Sequence, residues 1–358
     1  MSLDALLDKC IETGDLGREE IIFLLMLEGE EVVRLAAAGD EVRKRFCGGG
    51  VHIRGLVEFS NVCRNDCLYC GLRRSNGAVR RCSMTSDEIV ETAIELAKDG
   101  IGTVVLQSGE DMRCTAEIVA DIIRRIKSAA DIAVTLCLGE RPYEDYALWK
   151  DAGADRYLLR HETANPELFR KLHPDSTLEK RVGSLRELRR LGYQIGAGSM
   201  VGLPGQTVPD LADDILLLRE LEVDMAGIGP FIPHPNTPLA GARTGSLEMT
   251  LKMVALARIV TRDALIPATT AAGSVDEFGR EKALQAGANV VMPNHTPLAY
   301  RVDYEIYPNK RCITEDPVSC TPRLAARILS IGRTVAAGKG HSPRHDRAQA
   351  KPQAPSSP

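Results

Sequence analysis

Three cysteine thiols lie within eight residues of the chain, at Cys63, Cys67 and Cys70, and no fourth cysteine is close to them. A ferredoxin-type [4Fe–4S] cluster uses four thiolates, one for each iron. Three close thiolates therefore predict a [4Fe–4S] cluster with one open iron, where a small molecule can coordinate. The alternative is a structural zinc ion held by these thiols and a distant histidine.

The Cys-x3-Cys-x2-Cys spacing is similar to the signature of the radical S-adenosylmethionine (SAM) superfamily. This resemblance implies that the open iron chelates the amino and carboxylate groups of SAM. It also implies that an electron from the cluster cleaves SAM to methionine and a 5′-deoxyadenosyl radical. Tyr69 stands where that superfamily often places an aromatic ring against adenine, although an ordinary loop aromatic is an equal alternative.

The composition is that of a globular protein without a nucleic-acid or membrane partner. The 358 residues are 44% hydrophobic and 26% charged, with a net charge of −4, which gives no reason to expect an anionic partner. The N-terminus shows no signal-peptide pattern, and no apolar run reaches transmembrane length. Because ten cysteines fit a reducing compartment better than a disulfide scaffold, we expect a cytoplasmic protein.

Short β-rich runs alternate with helical patterns along most of the chain, which predicts βα units and a parallel sheet. The eight candidate strands are 51–59, 103–107, 133–138, 156–160, 194–199, 225–228, 264–269 and 290–293. The candidate helices between them are 86–98, 116–127, 178–191, 208–221, 247–260 and 274–285. Eight such repeats predict a (β/α)8 TIM barrel whose strand C-termini form the site. A doubly wound open sheet is the structural alternative.

Three segments are predicted on this basis. Residues 1–50 form an N-terminal helical segment packed on the barrel, which ends at Gly48, Gly49 and Gly50. Residues 51–335 form the barrel itself. Residues 336–358 are predicted to be a disordered tail, because they contain too few apolar side chains to offset the entropy of ordering.

Longer stretches resemble the HydE family, the radical SAM maturases of [FeFe]-hydrogenase. The similarity is found in residues 51–54, 59–76, 158–166, 196–207, 227–235 and 291–294. It implies a full barrel with an internal cavity, and a role beside other maturases in assembling the di-iron subcluster of the H-cluster. It also implies an electron donor, and a small substrate in the form of a cysteine-bound iron–carbonyl–cyanide complex.

The resemblance assigns SAM contacts to residues outside the cysteine loop. Glu110 ends a Ser-Gly-Glu element near the methionine amino group, Glu162 binds the ribose hydroxyls, and Arg181 pairs with the SAM carboxylate. Met200 and Val201 lie in a Gly-rich segment that approaches adenine or ribose. Without the family, Glu110 could be a surface loop carboxylate and Arg181 a solvated helix charge. The segment with Met200 and Val201 could be an ordinary βα turn.

A second group corresponds to the substrate end of the family's cavity: Cys137, Arg160, Thr269, Thr270 and Ala271. An arginine with hydroxyls and backbone N–H groups suits an amino-acid-like anion. An inert buried thiol remains the alternative for Cys137, and a structural ion pair is the alternative for Arg160.

Some members of the family hold a second iron–sulfur cluster on Cys-x7-Cys-x2-Cys. Here Cys312 and Cys320 supply two of its positions and Arg323 occupies the third. Two thiols and a guanidinium make a poor cluster site, so we expect no stable second cluster.

Other functions remain open at this point. A methylornithine synthase-like or biotin synthase-like radical SAM enzyme would use the same barrel. A non-catalytic iron–sulfur carrier would need the cysteines but not Glu162 or Arg181.

Overall fold

A computed structural model describes residues 2–311, 313 and 317–345, with only the backbone described for 317–320. The helices are α1 Leu3–Glu12, α2 Arg18–Leu25, α3 Glu30–Cys47, α4 Ser86–Lys98, α5 Ala116–Ala129, α6 Tyr143–Asp151, α7 Pro166–Leu172, α8 Leu178–Arg190, α9 Val208–Glu220, α10 Leu247–Thr261, α11 Thr270–Val275, α12 Gly279–Gln285, α13 Leu298–Arg301 and α14 Pro317–Ser330. In this described part of the chain, no helix has the length and apolarity needed to cross a membrane.

The strands are short and mostly buried on both faces. They are β1 Gly50–Ile53, β2 Gly55–Ser60, β3 Thr103–Ser108, β4 Ala133–Cys137, β5 Arg156–Leu158, β6 Gln194–Ala197, β7 Met200–Val201, β8 Met225–Ala226, β9 Gly229–Pro230, β10 Val290–Val291 and β11 Thr334–Val335. Strands with helices packed outside them and a filled interior are buried on both sides, as in other parallel barrels.

Serine and threonine hydroxyls cap the N-termini of five helices that follow barrel strands. Thr85, Thr115, Thr177, Thr207 and Ser246 each accept a hydrogen bond from a backbone N–H in the first turn of α4, α5, α8, α9 and α10, respectively. These caps satisfy N–H groups that have no partner within the helix. The chain therefore turns into a helix at a defined residue after each loop.

The strands close into a ring of eight parallel segments. Strands β2, β3, β4, β5, β6 and β8 form one parallel sheet in that order. Parallel bridges then join Met225 to Leu265, Pro267 to Val290, and Asn294 to Leu56. The predicted barrel is thus confirmed, with residues 264–268 as its seventh segment, although that segment is held by bridges rather than by a regular strand.

Two predicted elements are divided in the structure. The first candidate strand separates at Arg54, because β1 pairs with β10 and β11 whereas β2 pairs with β3. The candidate helix 274–285 is interrupted between α11 and α12, where the Asp276 carboxylate accepts a hydrogen bond from the Phe278 N–H. Helices α6 and α7 were not among the predicted helices.

The N-terminal helices lie against the outside of the barrel. A Cβ atom at Gly39 of α3 would come within 2.9 Å of Ala255 of α10, so the missing side chain permits a close approach of these helices. The buried ammonium of Lys252 donates to the carbonyls of Leu25, at the end of α2, and of Leu27. Both contacts join residues 2–47 to the barrel.

The first ten residues of the predicted tail make contacts with the barrel. In the structure, residues 336–345 cross the floor of the barrel, where the Lys339 carbonyl accepts from Thr103 at 2.7 Å and from Arg156 at 2.8 Å. The Gly340 carbonyl accepts from Arg54 at 3.0 Å. Buried polar groups of the barrel order this segment, which composition alone could not indicate; the remaining predicted tail, 346–358, lies outside the described residues.

We expect truncation after Val335 to lower the free energy of unfolding by about 3 kcal/mol or more, because buried guanidinium groups lose carbonyl acceptors. Chemical denaturation of the metal-free protein measures this change. Truncation after His345 is the control and should leave the free energy of unfolding unchanged. Equal stability of both truncated proteins would contradict the role assigned to residues 336–345.

Candidate functional site

A cavity of about 290 Å³ opens at the C-terminal ends of the barrel strands. It brings together most of the residues predicted from the sequence: Cys63, Cys67, Tyr69, Cys70, Glu110, Cys137, Arg160, Glu162, Arg181, Met200, Thr269 and Ala271. Val201 and Thr270 are not part of its lining. Val201 is buried beside it, and the Thr270 hydroxyl accepts a hydrogen bond from Arg280 at 3.0 Å.

Polar contacts hold the cysteine loop in one shape. The Asp66 carboxylate accepts from Arg73 Nε at 2.8 Å and from the Ser75 N–H at 3.1 Å, and these bonds keep the Asp66 pKa below its usual range. The Glu110 N–H donates to Cys63 Sγ at 3.4 Å. The loop thus presents its thiols to the cavity with N–H donation to sulfur already in place.

Burial makes the three thiols hard to ionise. Desolvation and the neighbouring thiols raise the pKa of Cys67 well above its normal value and that of Cys70 to about 12, and desolvation also raises the pKa of Cys63. Thiolate ligands bind metals and thiols do not, so a bound cationic centre would stabilise the charged form here. The donor set therefore fits an iron–sulfur cluster.

A single zinc ion is the alternative to a cluster for these thiols. Among the described residues, no three His, Cys, Asp or Glu side chains are grouped so that they could hold one metal ion. A zinc ion needs every thiolate about 2.3 Å from one centre, whereas a cubane distributes its ligands over separate irons.

Glu162 combines an unusual backbone conformation with a buried carboxylate. Its backbone has φ of 64°, in the left-handed region that a glutamate rarely adopts. Its Oε2 atom is buried without a hydrogen-bond partner, although Arg160 Nη2 lies 3.3 Å away. A buried carboxylate oxygen without a donor is costly, so this position fits a ligand that brings hydroxyl donors, such as a ribose.

Arg181 is oriented by other groups of the site. Its Nε donates to Glu140 at 2.6 Å, and its Nη1 donates to the Arg160 carbonyl at 2.6 Å. Burial disfavours charge on both partners, but their attraction raises the Arg181 pKa and lowers the Glu140 pKa. Both groups therefore remain charged, and the guanidinium is fixed at the cavity wall. Sequence analysis did not find Glu140, since its role depends on a partner 41 residues away.

The Glu110 side chain is already occupied by protein donors. Its carboxylate accepts from Arg64 at 2.6 Å, from Asn65 at 2.9 Å and from the Glu140 N–H at 2.9 Å. A Cβ atom at Gly139, where φ is +75°, would lie 2.3 Å from this carboxylate. Glu110 thus joins the cysteine loop to the next βα loop. A SAM amino group that binds Glu110, as predicted, would donate to a carboxylate that already accepts from these protein donors.

A tyrosine–histidine pair forms another part of the wall. The Tyr69 hydroxyl and His173 Nε2 are 2.7 Å apart, and His173 Nδ1 lies 3.3 Å from the Phe169 carbonyl. Burial and the charge of Arg181 lower the His173 pKa to about 3. The neutral imidazole can therefore donate to the carbonyl and accept from Tyr69. Sequence analysis did not find His173, because no spacing links it to Tyr69.

The cavity lining also contains Cys137, Arg160 and Thr269. Burial raises the Cys137 pKa to about 12, so this thiol is neutral. Arg160 Nη2 donates to the Ser199 carbonyl at 2.7 Å, while its buried Nε has no hydrogen-bond partner. Tyr304 and Tyr307, which sequence analysis did not assign, complete this wall. Such a surface can hold a small anion beside an apolar and thiol-lined space.

The predicted absence of a second cluster stays a prediction. Cys312 lies outside the described residues, and only the backbone of Cys320 is described, within α14. Arg323 belongs to the same helix.

Comparison with known proteins gives consistent relationships. The radical SAM superfamily model matches residues 57–218. The [FeFe] hydrogenase maturase subunit HydE of Thermotoga maritima is 52% identical over 327 residues, which are 91% of this chain and 90% of that protein. A 3-methylornithine synthase of Methanosarcina barkeri is 30% identical over 80% of this chain and 82% of its own length. The crystal structure of the methylornithine synthase PylB has a TM-score of 0.82 at 25% identity and covers 96% of this chain and 99% of its own.

The barrel, the cavity and the superfamily match define a radical SAM enzyme, a class whose members use a [4Fe–4S] cluster and SAM. Within that class, the high identity over nearly the whole chain is decisive. The chain belongs to the HydE family of [FeFe]-hydrogenase maturases.

We expect the neutral state of His173 to make stability depend on pH. Its pKa of about 3 is below that of an unfolded histidine, so its contribution is present above about pH 6.5 and is lost as pH falls toward 3. Between pH 7 and pH 5 this loss is about 2 kcal/mol. Denaturant unfolding of the metal-free protein and of His173→Gln at both pH values isolates it, since all other groups are shared. An identical pH dependence in the two proteins would contradict a buried neutral His173.

Proposed function

We propose that this protein acts in assembly of the di-iron subcluster of the [FeFe]-hydrogenase H-cluster. When bound, the [4Fe–4S] cluster supplies the electron that cleaves SAM to methionine and a 5′-deoxyadenosyl radical. The radical's target is a small, cysteine-bound iron–carbonyl–cyanide precursor. The observation that carries the proposal is one cavity lined both by the three cysteines and by Cys137, Arg160 and Thr269.

The residues near the cysteine loop hold and orient SAM. Cys63, Cys67 and Cys70 would hold the cluster. The buried Glu162 oxygen would accept hydrogen bonds from the ribose hydroxyls, and Arg181 would pair with the SAM carboxylate. Met200 belongs to an apolar cluster with Leu168, Leu172, Leu203 and Phe231, against which Tyr69 packs. This apolar wall suits adenine and excludes water from the radical.

A second group of lining residues holds the substrate. The cationic Arg160 and the Thr269 hydroxyl suit the carboxylate of a cysteine ligand. The neutral Cys137 thiol offers a soft wall beside it. A substrate of this kind would be made and used by other maturases, so we expect the protein to work beside them in the cytoplasm, with a separate electron donor.

A second candidate is favoured by the 30% identity to a methylornithine synthase. Such an enzyme, like a biotin synthase, would use the same SAM site with an organic substrate. Product analysis with lysine or dethiobiotin separates these activities from maturation, because only they would yield methylornithine or biotin. A non-catalytic iron–sulfur carrier would produce no 5′-deoxyadenosine at all.

The first test is electron paramagnetic resonance (EPR) of the anaerobically reconstituted, reduced protein with and without SAM. We expect one [4Fe–4S]⁺ signal that shifts on addition of SAM, together with release of 5′-deoxyadenosine. Cys63→Ser should lose the signal, since two thiolates hold the cluster poorly. Cys82→Ser is a matched control, because Cys82 lies next to the loop and is not a proposed ligand.

The double variant Cys312→Ser/Cys320→Ser completes this experiment. An unchanged iron content and spectrum would support the expectation that no second cluster forms. A reconstituted protein that contains zinc and shows no EPR signal would exclude the proposed activity.

The role of Glu162 gives a separate prediction. Glu162→Gln should weaken SAM binding about tenfold or more, because an amide is a weaker and less complete acceptor for two hydroxyls. Equilibrium dialysis of the reconstituted protein measures the affinity. Glu167→Gln, on the exposed side of α7, serves as the control. Equal affinities of the two variants would remove Glu162 from the SAM site.

A further inference from the structure

Basic side chains cover the outer surface of the cysteine loop. We refer to five residues of the loop, of the segments next to it and of the first turn of α8 as the basic face: Arg64, Arg74, Arg80, Arg113 and Lys180. The whole chain has a net charge of −4, so this concentration of cations is local.

The ion pairs of the basic face all have the same orientation. The Arg113 side chain is 63% exposed, whereas its partner Asp111 is 1% exposed. Lys180 is 58% exposed above Glu140 at 3%. The same order holds for the other three members, whose partners are Glu110, Asp175 and Asp303. The carboxylates are thus the less exposed partner in each pair, and solvent meets mainly the cations.

Several ion pairs elsewhere on the helices have the opposite order. Asp87 is 76% exposed beside Arg125 at 39%, and Glu220 is slightly more exposed than Arg186. An approaching molecule meets both signs of charge at these pairs. Other pairs, such as Arg189 with Asp224 and Arg327 with Glu281, share the order of the basic face, but their cations are only 35% and 37% exposed.

The basic face is directly connected to a cluster ligand. Arg64 is bound to the Glu110 carboxylate at 2.6 Å, and the Glu110 N–H donates to Cys63 Sγ at 3.4 Å. Arg74 donates to the Arg64 carbonyl at 2.8 Å. A molecule seated on these cations would therefore lie over the protein layer that separates the cluster ligands from solvent.

We propose that the basic face is the docking surface for an acidic one-electron carrier protein of the ferredoxin type. This inference rests on the proposed function, since only a cluster that is reduced in each cycle requires a donor. One electron passes from the carrier's reduced centre to the oxidised [4Fe–4S] cluster. The carrier is oxidised by one electron, the cluster is reduced by one electron, and no bond or proton changes place.

The physical character of the surface suits this kind of partner. Electron-transfer encounters use small interfaces and need fast release. Complementary charge raises the rate of encounter without adding a large apolar contact. Paired cations also lose little entropy on binding, because their carboxylate partners already restrict them.

The test uses the double variant Arg74→Gln/Lys180→Gln, which removes two charges that neither ligate the cluster nor line the cavity. Glu140 keeps Arg181 and Ser176 as donors in this variant. The matched control is Arg125→Gln/Arg186→Gln, with the same charge change on the outer faces of α5 and α8. Binding of an oxidised acidic ferredoxin to the reconstituted protein is measured by calorimetry at two salt concentrations.

We expect the basic-face variant to bind this ferredoxin about fivefold more weakly, as two surface charge contacts imply, with a smaller dependence on salt. The control variant should bind like the unaltered protein. In the basic-face variant, release of 5′-deoxyadenosine should fall when reduced ferredoxin is limiting. With dithionite as the reductant it should be unchanged, because dithionite needs no docking surface.

The outcomes separate docking from catalysis. Equal ferredoxin affinity in the two variants would overturn the docking surface. Binding of a DNA oligomer is measured in the same way. If the basic-face variant lost DNA binding but kept its ferredoxin affinity, the docking surface would also be overturned and the face would be assigned to nucleic acid. Absence of 5′-deoxyadenosine from the unaltered protein with dithionite would instead refute the proposed function, whatever the affinities are.

Discussion

The burial of three thiols at the top of the barrel is the constraint on which the rest of the site depends. Desolvation keeps Cys63, Cys67 and Cys70 protonated unless a cationic centre binds them. Such a centre also has to be reached by SAM and protected from water. A cavity enclosed by barrel strands and covered by a rigid loop meets both needs, since access is limited to its mouth.

The same constraint explains the charged residues around the loop. Glu140 accepts from Arg181 and Ser176 and lies 3.1 Å from Lys180, so one buried carboxylate orients a residue of the cavity and a residue of the outer surface. Glu110 likewise joins the loop to its neighbour. Two carboxylates thus hold the inner and outer faces of the site in one arrangement.

Local sequence patterns were sufficient to predict most of the barrel. Helices α4, α5, α8, α9 and α10 were predicted to within two residues, because capping hydroxyls and apolar periodicity are local properties. The cysteine spacing indicated the three thiols that line the cavity, whereas the other predicted lining residues came from the family resemblance. Tyr69 and His173 could not be paired in advance, since their contact spans 104 residues and no motif records it.

The contacts of residues 336–345 could not be predicted for a related reason. Residues 336–345 have the composition of a disordered segment, and their order comes from acceptors that they supply to Arg54, Thr103 and Arg156. Composition measures what a segment can bury by itself. It does not measure which buried donors of the surrounding fold need an acceptor from that segment.

The pairing of β1 with β11 has a consequence for the growing chain. Val51 pairs with Val335, which is synthesised almost 300 residues later. One edge of β1 therefore stays unpaired until nearly the whole barrel has been synthesised. Unpaired edges attract other chains and promote aggregation. His52 and Arg54 interrupt the apolar residues of this segment, and such polar residues discourage intermolecular pairing. His52 and Arg54, which lie at the floor of the folded barrel, would thus also protect the incomplete chain from aggregation.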